Sequence, residues 1–137
     1  MRVFVDSGGW LSVLITTDVH HAAGRRHYSH LIRNRAALLT DYILDEVVTR
    51  LRYDVSHRSA AEFLALAEAS AASGALSVLR VDEGAWVSAK EIFLRFSEPR
   101  LSFTDCTSFA LLARTACDQV FGFDQHFEMM GHVLQPR

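Results

Sequence analysis

Four short, mostly apolar runs, each followed by a stretch patterned for a helix, set the strongest limit on what this chain can fold into. They are Val3-Phe4-Val5, Ala36–Thr40, Ala75–Val81 and Gln119–Phe123. Short runs of this kind fit strands buried on both faces of a parallel sheet. Between them the apolar spacing turns helical. After a turn at Ser7-Gly8-Gly9, Trp10–Ile15 reads as a short helix. Asp18 is placed to cap a helix to about Asn34, with Ala22, Ala23, His27, His30 and Leu31 on one face. Asp41 is read as the cap of a helix carrying Ile43, Leu44, Val47, Val48 and Leu51. A further helix runs from Ser59 to about Ala72 and stops at Gly74. Asp82 caps one that carries Trp86, Ala89, Ile92, Phe93 and Phe96, with both tryptophans of the chain expected in the core. A turn of helix at Phe127–Met130 and an edge strand at His132–Leu134 close the pattern. The alternation predicts an α/β three-layer sandwich with a mainly parallel central sheet of four to five strands, and one domain over residues 1–137.

The segment Leu101–Leu112 predicts the most buried helix. Ser102 precedes Asp105 by the spacing of a capping box, and no charge follows until Arg114. Asp105 therefore sits at the mouth of an apolar helix, where a carboxylate is costly unless partnered. As a lone acid it would be read as a cap. Three further acids in comparable places change that reading. Asp6 and Asp124 each terminate an apolar strand, while Glu46 falls in the second turn of its helix. In a parallel sheet the strand ends and the following helix starts share one edge, where ligands bind. The plain alternative is a set of unrelated caps and turn residues, which is the reading kept for Asp18, Asp41 and Asp82.

Gathered carboxylates repel by about 4 kcal/mol per pair at 4 Å and an effective dielectric near 20. Four of them stay ionised together only around a cation. Oxygen donors without a zinc-type Cys/His motif suit a hard ion, Mg²⁺ or Mn²⁺. Such ions activate water and clamp phosphate groups. Cys106 and Cys117 belong to no CxxC pair and are read as reduced thiols of the apolar helix region, in a cytoplasmic protein. No apolar window is long enough for a membrane span, and Asp6 interrupts the N-terminus too early for a signal peptide. The net charge of −2 gives no global polyanion-binding footprint, so any nucleic acid needs a local patch.

Four segments together resemble the PIN-domain family, above all the VapC-type toxins of bacterial toxin–antitoxin pairs. They are Asp6-Ser7 after its strand, Leu39-Thr40-Asp41-Tyr42-Ile43-Leu44-Asp45-Glu46, Phe103-Thr104-Asp105-Cys106-Thr107-Ser108 and Phe123-Asp124-Gln125-His126-Phe127. The resemblance spans essentially the whole chain, with the motifs in order. It implies a metal-dependent endoribonuclease that hydrolyses RNA phosphodiester bonds with water activated by Mg²⁺ or Mn²⁺. It carries the family's acidic quartet to Asp6, Glu46, Asp105 and Asp124, as catalytic groups and metal ligands, and supporting hydroxyls to Ser7, Thr104 and Ser108. It also implies a homodimer, silenced by a small antitoxin that covers the pocket. Asp45 adjoins Glu46, and Gly8-Gly9 departs from the family's first turn. Glu46 is the inward acid on this reading, because Leu44 and Val48 set the buried stripe.

RNA would be held by arginine, which pairs bidentately with phosphate. Arg25, Arg26, Arg33, Arg35, Arg50 and Arg52 are the candidates, although each suits a solvated helix face equally well. His126 follows the Asp124 motif and is a candidate to face the pocket. Two aspartyl phosphoryl-transfer classes also begin with a strand-ending Asp. One wants a second Asp where Gly8 stands; the other wants paired acids at the first strand and a lysine near the last, whereas Lys90 is the sole lysine. A catalytically inactive PIN scaffold that binds RNA or a protein partner is the remaining alternative.

Overall fold

The computed structural model describes residues 1–136. Its elements in chain order are β1 (Val3–Val5), α1 (Ser7–Leu14), α2 (His21–Arg33), β2 (Ala37–Thr40), α3 (Asp41–Asp54), α4 (His57–Ser73), β3 (Leu76–Leu79), α5 (Glu83–Arg95), α6 (Phe103–Ala113), β4 (Gln119–Phe121), α7 (His126–Met129) and β5 (Leu134–Gln135). The five strands form one sheet in the order β3-β2-β1-β4-β5, and every neighbouring pair is parallel. The expected α/β architecture is thus present, with the sheet wholly rather than mainly parallel.

Burial follows from that topology. Val3, Phe4 and Val5 lie on the central strand and are each 0% exposed. The other strands add Leu39, Leu76, Val120, Phe121 and Leu134, and the helices supply Trp10, Leu31, Ile43, Val47, Leu51, Phe63, Phe109 and Phe127. Trp10 packs against Tyr28 and Phe63, with ring centroids 5.3 and 5.5 Å away. Trp86 departs from the sequence reading. It is 44% exposed on α5, leaning on Phe103 at 5.5 Å instead of entering the core.

Several helix starts differ from expectation for identifiable reasons. Gly8 and Gly9 do not form a turn but lie inside α1, which begins at Ser7 directly after Asp6. A β-carbon on Gly9 would stand 2.4 Å from the Phe121 carbonyl oxygen, so glycine lets this helix press against β4. Thr40, not Asp41, caps α3; its hydroxyl accepts from the Ile43 N–H at 3.0 Å. Asp41 instead ties β3 to α3, its Oδ1 accepting from the N–H groups of Tyr42 and Val81. Asp18 accepts from His20 N–H ahead of α2 and gives it no side-chain cap. Asp82 and the Ser102–Asp105 capping box are as expected, and Gly74 ends α4 at φ +81°. Cys117 lies beyond α6 and is half-buried; Cys106 is fully buried, which pushes its thiol up to about 11.

Candidate active site

The strand order reverses direction between β1 and β4, the two strands that lead to Asp6 and Asp124. In a parallel α/β sheet that reversal opens a crevice at the carboxyl ends of the strands. Asp6 follows Val5 directly, and its N–H donates to the Phe121 carbonyl of β4 at 3.0 Å. Asp124 comes from the loop after β4, Glu46 from the second turn of α3, and Asp105 from the first turn of α6.

Asp6 lies within electrostatic reach of the other three carboxyl groups, and Asp105 acts on Glu46 and is acted on by Asp124. Asp6 is 3% exposed, and its carboxyl is pushed up to about 8. Burial is the largest cause, followed by the charge of Asp105 and, more weakly, those of Glu46 and Asp124; the Ser7 backbone N–H opposes them. Glu46 is raised by burial and by Asp105, with a hydrogen bond from the Ser7 side chain and the charge of Arg50 acting the other way. Asp105 is likewise raised by burial and by Asp124, and is relieved by Ser102 and His126. The site is therefore acidic, with the charges of Arg50 and His126 acting against it only in part. Asp45 is exposed while Glu46 is half-buried, which makes Glu46 the inward acid of that pair.

Donor atoms of Asp105, Asp124 and His126 all lie within 4.8 Å of one another. Asp105 Oδ2 also accepts from Ser102 N–H at 3.1 Å, so one carboxylate serves both helix cap and site. Asp124 Oδ1 accepts from His126 N–H at 2.9 Å and lies 2.8 Å from His126 Nδ1. Buried Nδ1 nevertheless has no aligned hydrogen-bond partner among the described residues. Buried Ser108 Oγ is in the same condition, one turn along α6 from Asp105. Carboxylate oxygens beside an orphaned imidazole nitrogen are a donor set that fits a cation.

The supporting hydroxyls separate. Ser7 touches both Asp6 and Glu46 through its N–H and side chain, respectively. Thr104 is half-buried in the first turn of α6, where its carbonyl accepts from Thr107 Oγ1 at 2.6 Å.

Among the described arginines Arg50 is the one whose charge acts on an acid of the site, Glu46, one turn earlier; it also pairs with Asp54 at 3.1 Å. Arg25 and Arg26 lie in the N-terminal half of α2, Arg25 in a cleft with Val13, Leu14, Tyr28 and Leu66 and Arg26 in one with Ala23, His27 and His30, neither of them lined by the acids. Arg33 and Arg35 do not fit the expected RNA-holding role. They stand where α2 runs into the start of β2, the opposite edge of the sheet, and Arg35 Nη1 donates to the Ser73 carbonyl at 2.9 Å. Arg52 faces an apolar cleft with Val48, His57, Ala60, Ala61 and Leu64, away from the acids. Sequence reading missed two features here. Gly122 passes close beneath Asp6, and His20 stacks on Phe123 with centroids 3.9 Å apart and planes 6° from parallel. Neither has a local sequence signature, since both arise from loops meeting across the sheet edge.

Comparison with known proteins agrees with this geometry. The chain is 25% identical over 131 residues to the 23S rRNA-specific endonuclease VapC20 of Mycobacterium tuberculosis, in strains CDC 1551 / Oshkosh and H37Rv, covering 96% of this chain and 95% of the relative. The crystal structure of Mycobacterium tuberculosis VapC20, a sarcin–ricin-loop-cleaving toxin, superposes with a TM-score of 0.86 over 96% of this chain and 97% of that one, at 24% identity. That likeness is one of fold. The PIN domain model matches residues 3–133, from the first residue of β1 to the last before β5. Since the match takes in every strand but the short last one, together with all four clustered acids, the chain belongs to the PIN domain family.

Proposed function

We propose that this protein is a divalent-metal-dependent endoribonuclease, the toxin of a toxin–antitoxin pair, with Asp6, Glu46, Asp105 and Asp124 as its metal-binding and catalytic groups. The observation that carries the reading is the coupling of these four acids around buried Asp6. Burial first, and the neighbouring acids after it, push the Asp6 carboxyl up to about 8, and acids held together at that cost make a good cation trap. A bound Mg²⁺ or Mn²⁺ would supply water activation and neutralise charge on the scissile phosphate. Asp6 and Asp105 would hold the ion, with Glu46 and Asp124 completing the set directly or through water. Ser7 orients Glu46. Arg50, whose charge reaches Glu46, is the first candidate to hold the RNA backbone, with Arg25 and Arg26 as further candidates.

In the hydrolysis, water oxygen bonds to phosphorus, the P–O3′ bond breaks, and the 3′ oxygen leaves with a proton. The products carry 5′-phosphate and 3′-hydroxyl ends, and no 2′-hydroxyl attack is needed. The VapC20 relative's specificity for 23S rRNA makes ribosomal RNA the first substrate to try. An antitoxin that covers the acids and a homodimer follow from the family resemblance; exposed Trp86, Val87, Phe93 and Leu94 on α5 offer apolar surface for such contacts. No helix among the described residues is long and apolar enough to cross a membrane, and a cytoplasmic setting suits the two free thiols.

The test is cleavage of ribosomal RNA with and without Mg²⁺ or Mn²⁺, for the wild type and for folded Asp6→Asn and Asp105→Asn. Ion-dependent cleavage lost in both variants supports the enzyme. RNA binding without cleavage under every ion supports the inactive scaffold, and 2′,3′-cyclic phosphate ends contradict the mechanism.

A further inference from the structure

We propose that His126 Nδ1 is a direct protein ligand to the ion held by this acidic cluster, giving the site a nitrogen donor and a preference for Mn²⁺ over Mg²⁺. This rests on the metal-dependent reading above and specifies which ion the site selects.

The argument begins with the 2.8 Å separation between His126 Nδ1 and Asp124 Oδ1. Such a distance ordinarily signals a hydrogen bond. Here the alignment is too poor for one, so buried Nδ1 faces Asp124 Oδ1 without a hydrogen bond to any of the described residues. Asp124 Oδ1 is also already engaged by the backbone N–H of His126 at 2.9 Å. A buried polar atom left unpaired costs about 1–3 kcal/mol. A shared cation removes that cost. Neighbouring ligands around a six-coordinate ion with bonds of about 2.1 Å are about 3 Å apart, and opposite ligands about 4.2 Å apart. The His126–Asp124 separation matches the first spacing. The Asp105, Asp124 and His126 donors all lie within 4.8 Å of one another, so a small side-chain rotation at most brings them inside the second spacing.

The ring is held in place. His126 opens α7, and the next residue, Phe127, is fully buried against Phe4 and Phe109. The His126 side chain is itself only 18% exposed. A chelating arrangement built on this anchor does not have to be assembled from a mobile side chain. Nitrogen is also the informative donor chemically. Mg²⁺ prefers oxygen and keeps its waters, whereas Mn²⁺ accepts imidazole more readily. An all-oxygen pocket discriminates weakly between the two, so one imidazole is enough to tilt the choice.

Mn²⁺ alone, without RNA, is the probe. Pulsed EPR on the Mn²⁺-loaded protein detects directly bound ¹⁴N, and calorimetric titration gives the affinities for Mn²⁺ and Mg²⁺. The wild type is expected to show ¹⁴N coupling that disappears in His126→Ala and survives in His20→Ala, whose imidazole lies against Phe123. Mn²⁺ affinity should fall on the order of tenfold in His126→Ala, with a smaller change for Mg²⁺. Tight Mn²⁺ binding by the wild type without ¹⁴N coupling, or coupling that persists in His126→Ala, overturns the proposal and leaves the metal-dependent enzyme standing. Absence of any Mn²⁺ or Mg²⁺ binding by the wild type overturns both.

Discussion

Gly122 and Asp6 are packed so closely that a β-carbon at position 122 would lie 3.1 Å from Asp6 Cβ and 3.7 Å from its Oδ2. The absent side chain is what lets Asp6 stand upright at the mouth of the β1–β4 crevice. Gly122→Ala is therefore expected to tilt the Asp6 carboxylate and weaken divalent-ion binding at least several-fold, with only about 1 kcal/mol lost in stability. Calorimetric titration with Mn²⁺ beside urea denaturation separates the two effects. Unchanged affinity with unchanged stability would mean that the loop yields and the contact is unimportant.

The pH dependence of the ion-free protein has a definite sign. Asp6 is raised to about 8 in the fold, against an ordinary value of 3.8. Between those values the native state keeps a proton that the unfolded chain has released. Stability then falls as pH rises, by up to about 1.4 kcal/mol per pH unit, and levels off above the native value. Glu46 and Asp105 are raised too and act in the same direction. Burial lowers His27 and His132, which gives the opposite slope, but only below their ordinary value of 6.5. From about pH 7 to about pH 8 the acids thus act alone. The melting temperature without divalent ion should drop across that interval, and Mn²⁺ should abolish or reverse the drop. A rising melting temperature without ion would contradict the raised Asp6 carboxyl.

Ser7 is the hinge of the acidic set, touching Asp6 through its N–H and Glu46 through its side chain. Ser7→Ala removes the second contact alone. Glu46 should then titrate higher, and ion affinity should fall a few-fold with the fold intact. Monitoring the Glu46 carboxyl by NMR during a pH titration checks the first expectation directly. A Glu46 titration that does not move would assign Ser7 no role beyond starting α1.

The sheet and most of the helices were legible because their signals are local: apolar runs at β1 and β2, the Ser102–Asp105 box, and Gly74 at the end of α4. The acids were legible as a group because a parallel sheet sends all its strand ends to one edge. What escaped depends on contacts between distant segments. Gly8-Gly9 looks like a turn until Phe121 is placed against Gly9. Asp41 looks like a cap until the Val81 N–H arrives to occupy it. Trp86 has a core composition but sits on the outer side of α5, and Arg35 turns to Ser73 at the far edge of the sheet. Helical periodicity gives a side chain its face; it does not say what the face meets.

Thr40 offers a check on that local reading. Its hydroxyl caps α3 from a fully buried position, holding the helix that presents Glu46. Thr40→Ala should cost about 1 kcal/mol by chemical denaturation, rising toward 2 because the Ile43 N–H is left buried. Thr40→Ser should recover most of that loss. Equal losses in both would move the cause from the cap to the packing of the methyl group.

The strand order places Asp6, from the first strand of the chain, beside the loop that brings Asp124 after the fourth. During translation, a nascent chain that has emerged only as far as α6 carries three of the acids but lacks the strand that closes the crevice. The pocket therefore takes shape only when β4 docks beside β1, so its assembly is tied to closure of the sheet across the first and fourth strands.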